Sequence, residues 1–466
     1  MSDRPDLAVI GAGPAGLAAA TVAARGGLKV ALFDEQPGPG GQIYRGIGSA
    51  HPARRALLGP DYAAGANLVA EFEASGAGYY PDTQVWSLGA NGELGLLSDG
   101  RARLLRARRV LIATGAQERP VPFPGWTLPG VMYAGAGQIL LKSAGLVPGH
   151  GVVLAGTGPL LLLLAWQYQR AGVTVQAVLE TAPAANFWRA LPHLPRALLT
   201  HHYVTKGLAY EWALRRCGVR LLKGVRDLRA EGGEAVEALS FRHRGRSHRL
   251  KTNLLLVHFG VIPQTQLGQA AGCEHAWDEA QQCWRPVTDD WGNTSVPSIA
   301  VAGDGAGIGG AVAALHAGRL AGFECLRALN RIDAAERDRL AGADRRWLRQ
   351  DLHIRPFLQA LFRLPAALLA GTADDTLVCR CEEVTAGDIR AAVAAGHTGP
   401  NQVKFLTRCG MGPCQGRQCG DSVAQLIAAA LGESPAAFGR YRIRPPVKPV
   451  PLAALAALEG VEEVAD

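Results

Sequence analysis

Leu7-Ala-Val-Ile-Gly-Ala-Gly-Pro-Ala-Gly16 is the stretch that decides the fold. Four apolar residues, Leu7 to Ile10, suit a short buried strand, and the alanine-rich run after the glycines predicts a helix that Pro14 and Ala15 begin. Gly11, Gly13 and Gly16 stand at the G-x-G-x-x-G spacing between strand and helix. Gly11 allows the tight turn, Gly13 lets a pyrophosphate approach the backbone, and Gly16 lets the helix close on the strand. A second strand, Val30-Ala-Leu-Phe33, ends in Asp34-Glu35, about twenty residues on, where an acid holds a ribose hydroxyl. Asp34 is the better spaced of the two and Glu35 the alternative. A glycine turn without a ligand would leave the coincidence of strand, turn, helix and acid unexplained.

Three further strings lie far apart in the chain. Gly40-Gly41-Gln42 follows the acid. Val110-Leu-Ile-Ala113-Thr114-Gly115 reads as a strand and turn that closes the first nucleotide domain. Thr294-Ser-Val-Pro-Ser-Ile-Ala-Val-Ala-Gly303-Asp304 precedes Gly309-Gly310-Ala311 and another helix. Together they resemble the flavoproteins of the thioredoxin- and glutathione-reductase type. That resemblance implies FAD, with Asp304 delivered to the ribityl chain. The helix after Gly310 would point its N-terminus at the flavin, and that positive end favours a reduced, anionic ring.

Val152-Val-Leu-Ala-Gly156-Thr-Gly158-Pro159-Leu-Leu161 repeats the strand, turn and helix. Here Leu161 replaces the third glycine, which pushes the helix outward or changes how the backbone meets a pyrophosphate. The next strand, Val173 to Leu179, ends at Glu180, where a ribose-binding acid would sit. No arginine pair follows to accept a 2′-phosphate. Two readings stay open: a second site for an adenine nucleotide (ATP or NAD), or a domain that keeps the fold without a ligand.

Five of the nine cysteines fall late: Cys379-Arg-Cys381, Cys409 and Cys414-Gln-Gly-Arg-Gln-Cys419. Thiols gathered at short spacings read as metal or cluster ligands rather than a disulfide framework when no secretion signal is expected. The region resembles the small [2Fe–2S] domain of bacterioferritin-associated ferredoxins, which implies Cys379, Cys381, Cys414 and Cys419 as ligands, with Cys409 a spare buried thiol. An all-cysteine zinc site uses the same donors, but two Cys-x2-Cys knuckles, its usual form, are absent. Thr385-Ala-Gly-Asp388 is a capping box that predicts a helix from about residue 386. Gly410-Met-Gly-Pro413 is a loop whose N–H groups can approach cluster sulfurs. A further helix is expected near Cys419.

The length of 466 residues suits two or three domains, and 58 glycines with modest charge fit α/β nucleotide-binding domains. The formal charge of +8 is scattered. Its densest stretch, Arg440 to Lys448, lies in a proline-rich tail and is expected to be a solvated or docking arm, not a nucleic-acid contact. No apolar run is long enough to span a bilayer, and the chain is expected in the cytoplasm with reduced cysteines. No Cys-x-x-Cys occurs, which excludes thiol–disulfide reduction. His201-His202, His316, Trp277, Trp284 and Trp291 read as packing or surface residues, and no catalytic set for an amine substrate is recognisable.

Asp34-Glu-Gln, Gly40-Gly-Gln-Ile-Tyr-Arg45, Ala113-Thr-Gly-Ala-Gln-Glu-Arg-Pro120, Phe123-Pro-Gly-Trp-Thr-Leu-Pro-Gly-Val131 and the cysteine segment together resemble one family over nearly the whole chain. It is that of the α (A) subunits of bacterial heteromeric amino-acid and opine dehydrogenases, which includes opine oxidases, D-hydroxyproline dehydrogenase and hydrogen cyanide synthase. The resemblance implies an electron-transfer protein carrying FAD and [2Fe–2S]. Substrate oxidation would fall to a β subunit similar to D-amino-acid and sarcosine oxidases. A small ferredoxin-like γ subunit, together with a downstream electron acceptor, would complete the set of partners. A stand-alone NAD(P)H reductase and a nucleotide-binding scaffold are the rival readings. The expected organisation is a flavin domain over 1–118 and 286–345, a second nucleotide-binding-like domain over 119–285, a helical linker over 346–374, the cysteine domain over 375–432 and a tail over 433–466.

Overall fold

The structure, a computed structural model, describes residues 4–149 and 151–458; the ends of the expected flavin domain and tail, 1–3 and 459–466, lie outside the described residues. Leu7–Ile10 is the central strand of a five-stranded parallel sheet in the order Ile299–Val301, Arg109–Ile112, Leu7–Ile10, Val30–Phe33, Gly78–Tyr80. The three inner strands are buried along their whole length, which is why they read as continuous apolar runs. Helix Pro14–Arg25 packs on helix Ala311–Ala328. Gly318 permits that approach, since a Cβ there would stand 2.2 Å from the Ala15 carbonyl oxygen. One nucleotide domain is thus assembled from both ends of a long insertion.

The insertion forms a second parallel sheet in the order Arg220–Lys223, Val175–Glu180, Val152–Thr157, Leu255–Phe259, Val131–Tyr133. Two strands that pair antiparallel, Ala116–Glu118 and Val261–Pro263, connect the two domains. Short helices from residue 185 and the helix His201–Arg216 interrupt the second sheet, and His201 and His202 are exposed there. Trp277 and Trp284 meet edge to face at 5.9 Å across a two-stranded ladder.

Helices Ala334–Asp351, Arg355–Leu361 and Ala366–Ala370 lead into the cysteine domain. There Thr385 and Asp388 close the expected capping box at the start of helix Ala386–Ala394. Helix Gly420–Leu431 follows Cys419. Val378, Ile389, Val403, Val423 and Ile427 form a small apolar core.

The tail is anchored at two points rather than free: Arg442, Arg444, Pro445, Pro446 and Pro449 are exposed, as expected of a solvated arm, but two apolar residues of the same segment are not. Tyr441 is buried in the cysteine domain's core and Val447 in that of the first sheet. Asn401 Nδ2 donates to the Arg440 carbonyl at 3.0 Å, Val447 N to the Trp86 carbonyl at 2.8 Å, and Gln84 Nε2 to the Pro449 carbonyl at 3.0 Å. Prolines have no N–H to leave unsatisfied, so this segment can lie along the protein on two apolar anchors and a few hydrogen bonds. Among the described residues no helix is long and apolar enough to cross a membrane.

Candidate functional site

Between the two domains lies a cleft of about 610 Å³. Its walls include Gly11, Gly13, Pro14, Ala15, Asp34, Glu35, Gly41, Gln42, Ala113, Thr114, Gly115, Asp304, Gly310 and Ala311, so segments distant in sequence converge on one space. Gly16 and Gly303 serve it from behind. A Cβ on Gly16 would stand 1.9 Å from the Gly11 carbonyl oxygen, and one on Gly303 2.7 Å from Ala15 Cβ. A Cβ on Gly13, by contrast, would meet only Gly41 Cα, at 3.9 Å. The backbone of the turn is therefore open toward the cleft, as a bound diphosphate requires.

Asp34 Oδ2 accepts from Ala12 N at 2.5 Å and Oδ1 from Gln36 N at 2.8 Å, which fixes the carboxylate beside the turn. Burial raises its pKa against the pull of those N–H groups. Glu35 is tied to Lys448 of the tail. At the other end Asp304 Oδ1 accepts from Gly309 N at 2.8 Å and Gly310 N at 2.7 Å, holding the N-terminus of helix Ala311–Ala328 toward the cleft. The wall also includes Glu118, Tyr133, Gln138 and Lys142, to none of which the sequence patterns assign a role. Glu118 Oε2 lies 2.5 Å from His258 Nδ1 and its Oε1 accepts from Gly135 N at 2.7 Å. Burial, and then the Glu118 charge, push the Tyr133 phenol upward. Only Glu118 carried a signal, as part of a quoted string.

The cysteine domain reaches the same cleft. Arg417, in the loop between Cys414 and Cys419, lines it; Gln117 Nε2 donates to the Arg417 carbonyl at 2.7 Å, and Arg417 Nη1 donates to the Val447 carbonyl at 3.0 Å. The Sγ atoms of Cys379, Cys409 and Cys419 lie within 4.8 Å of one another, all buried. Cys381, exposed, contacts the backbone and thiol of Cys414. A Cβ on Gly412 would stand 2.2 Å from Cys381 Cβ, so the glycine loop is what lets these strands of chain close in. Cys409 is buried as expected, but it is not apart from the rest: it hydrogen-bonds Cys379 and Cys419, and their combined hydrogen bonds pull the Cys379 thiol well below its ordinary pKa. A group of three thiols, with the Cys381–Cys414 pair beside it in the same small domain, supplies the kind of donors that an iron–sulfur cluster needs.

The second glycine turn is built differently. Gly156 and Gly158 both have positive φ, +131° and +115°. Pro159 starts helix Pro159–Arg170 and Leu161 is buried in the apolar core. The side-chain position of Gly158 lies 3.2 Å from the His258 ring. Glu180 turns back on its own strand end, Oε1 accepting from Ala182 N at 2.9 Å, and burial raises its pKa.

A glycine turn with its acid, an aspartate at the start of the second cleft helix and a second nucleotide fold fit an FAD-binding oxidoreductase, and residues 5–318 match the pyridine nucleotide-disulphide oxidoreductase family. Residues 373–459 match the sarcosine oxidase A3 domain. The A subunit of opine oxidase from Agrobacterium tumefaciens (strain Ach5) is 45% identical over 98% of this chain and 92% of its own length. Hydrogen cyanide synthase subunit HcnB of Pseudomonas aeruginosa is 35% identical over 97% of this chain and 98% of its own. The crystal structure of L-proline dehydrogenase from P. horikoshii superimposes with a TM-score of 0.72 at 20% identity, covering 97% of this chain and 79% of that one, and so shares the fold. The chain belongs to the family of oxidoreductase subunits that contains these opine oxidase and hydrogen cyanide synthase components.

Proposed function

We propose that this chain is the FAD and [2Fe–2S] electron-transfer component of a heteromeric dehydrogenase, with an amino acid, imino acid or opine oxidised on a partner flavoprotein. The observation that carries the proposal is Arg417, a residue of the cysteine loop that also walls the flavin cleft. FAD accepts electrons in pairs and a [2Fe–2S] cluster passes them singly, so the two side by side form an outlet. Asp34, Gly13 and Asp304 would hold the ribose, diphosphate and ribityl parts of FAD. Cys379, Cys381, Cys414 and Cys419 would hold the cluster, and Cys409 would donate a hydrogen bond to its sulfurs. Leu161 in the core and Glu180 satisfied by its own backbone weigh against hydride entry through the second domain.

The test is anaerobic purification, flavin and iron analysis, then mixing with NADH. About one FAD and two irons per chain are expected, with no bleaching of the flavin. Zinc in place of iron would overturn the cluster, and rapid bleaching would overturn the outlet role in favour of a reductase. Cys409→Ser should keep the cluster with a shifted visible spectrum; its loss would show that Cys409 is a ligand.

A further inference from the structure

Lys142 is 3% exposed, yet it lines the flavin cleft. Its Nζ donates to the Gln42 carbonyl at 3.0 Å and to Gln138 Oε1 at 2.8 Å, both neutral acceptors. Among the described residues no carboxylate pairs with it. Isolated ammonium groups are not buried without a counter-charge at small cost. The nearest charge is of the wrong sign: Arg45, held by Gln36 and Gln42, also faces the cleft. Arg54, with Nη1 on the Lys142 carbonyl, adds another positive group at the back. Of the elements packed around helix Ala134–Ala144, Pro159–Arg170 presents Tyr168, and strand Leu255–Phe259 presents His258, which is held by Glu118. Glu118 itself is engaged by His258 and Gly135 N, two helical turns away from Lys142. Burial, with Arg45, lowers the Lys142 pKa to about 7 when no anion is present. Gln42 follows Gly41, whose own side-chain position would lie 2.7 Å from Gly13 Cα, so the Lys142 ammonium borders the diphosphate turn.

We propose that Lys142 is the buried cation that recognises the negative charge FAD brings into the cleft, and that binding the cofactor draws a proton onto it. The inference rests on FAD being the ligand of the first domain. The negative charge has two sources, the diphosphate, present always, and the ring, which gains charge on reduction; both need an ammonium and neither is matched by a neutral amine. The sign follows from linkage. Below pH 7 Lys142 is protonated before and after binding, and affinity is at its maximum. Above pH 7 the free protein has lost that proton and must regain it on binding, so affinity falls by about tenfold per pH unit until the raised pKa of the complex is reached.

The experiment strips FAD from the full-length chain and measures rebinding of FAD by quenching of its fluorescence between pH 6 and pH 9. Wild type should weaken above pH 7. Lys142→Arg, charged throughout, should bind with no such dependence. Lys142→Met should bind at least about tenfold more weakly at pH 6, the loss of one charged hydrogen-bonding partner, and should also be flat with pH; circular dichroism and a thermal melt confirm that it is folded. The flavin midpoint potential separates the sources: a Lys142→Met potential below wild type points to the ring, and an unchanged potential with weakened binding to the diphosphate. Equal affinity and equal potential in Lys142→Met and wild type would overturn the proposal and leave the FAD reading standing. A wild-type chain that binds no FAD would overturn both.

Discussion

At the first glycine turn the helix begins at Pro14 over an open Gly13; at the second it begins at Pro159 over Gly158, which the His258 ring closes from the side. Gly13 has an ordinary φ of −78°, and the space above it is kept for something other than protein. Gly158 sits at φ +115°, so it is glycine for the sake of its own backbone. The third position repeats the contrast. Gly16 is demanded by the Gly11 carbonyl at 1.9 Å, whereas Leu161 contributes to the apolar core. The two acids are alike in bracing their turns, Asp34 at Ala12 N and Glu180 at the Gly158 backbone, but only Asp34 walls the cleft. One supersecondary plan thus leaves room above one glycine and closes it above the other, and the difference is read from what each glycine's missing side chain would meet.

That contrast can be broken by substitution. The largest effect is expected from Gly13→Val, which should lose FAD through purification while melting near wild type, since no protein atom other than Gly41 Cα lies within 4 Å of the added carbon. A flavin-replete Gly13→Val would remove the first turn from cofactor binding. Leu161→Ala should do the reverse, costing about 2–5 kcal/mol of stability by thermal or denaturant unfolding with FAD stoichiometry unchanged. Loss of flavin at wild-type stability would mean that Leu161 contacts a ligand after all. Asp34→Ala should weaken FAD by about 1–3 kcal/mol in a fluorescence titration, the range for losing a charged hydrogen-bond acceptor. Smallest is Glu180→Gln, where FAD affinity should stay within about 0.5 kcal/mol; a shift as large as that of Asp34→Ala would make the two acids equivalent.

Much of this was legible in the chain. Strands of four apolar residues, glycines at fixed offsets and an acid at the next strand's end are local patterns, and Gly11, Asp34 and Asp304 fall where such patterns put them. The capping box at Thr385 and Asp388 is equally local. What stayed hidden depends on packing between segments distant in sequence. Lys142 sits in an unremarked helix, and only the fold turns it into the cleft. Arg417 reads as filler between two cysteines until the cysteine domain docks. Cys409, outside the paired spacings, joins Cys379 and Cys419 only once the small domain has folded. In the tail, proline and arginine content suggested solvent, while Tyr441 and Val447, two residues among many, decided the outcome by burial.

The tail has a consequence for biogenesis. Val447 and Lys448 wall the same cleft as Gly11 and Gly13, so a cradle begun by one stretch of the chain is completed by another more than four hundred residues later. A nascent chain arrested at residue 439 has its glycine turn but lacks that wall, together with the Tyr441 anchor of the cysteine domain. Flavin capture is therefore expected to wait until the tail has been made and the cysteine domain has folded, which links loading of the cleft to the integrity of that domain. Released chains truncated after 439 and after 458 offer the comparison: equally tight flavin retention by the shorter one would show that loading is indifferent to the tail.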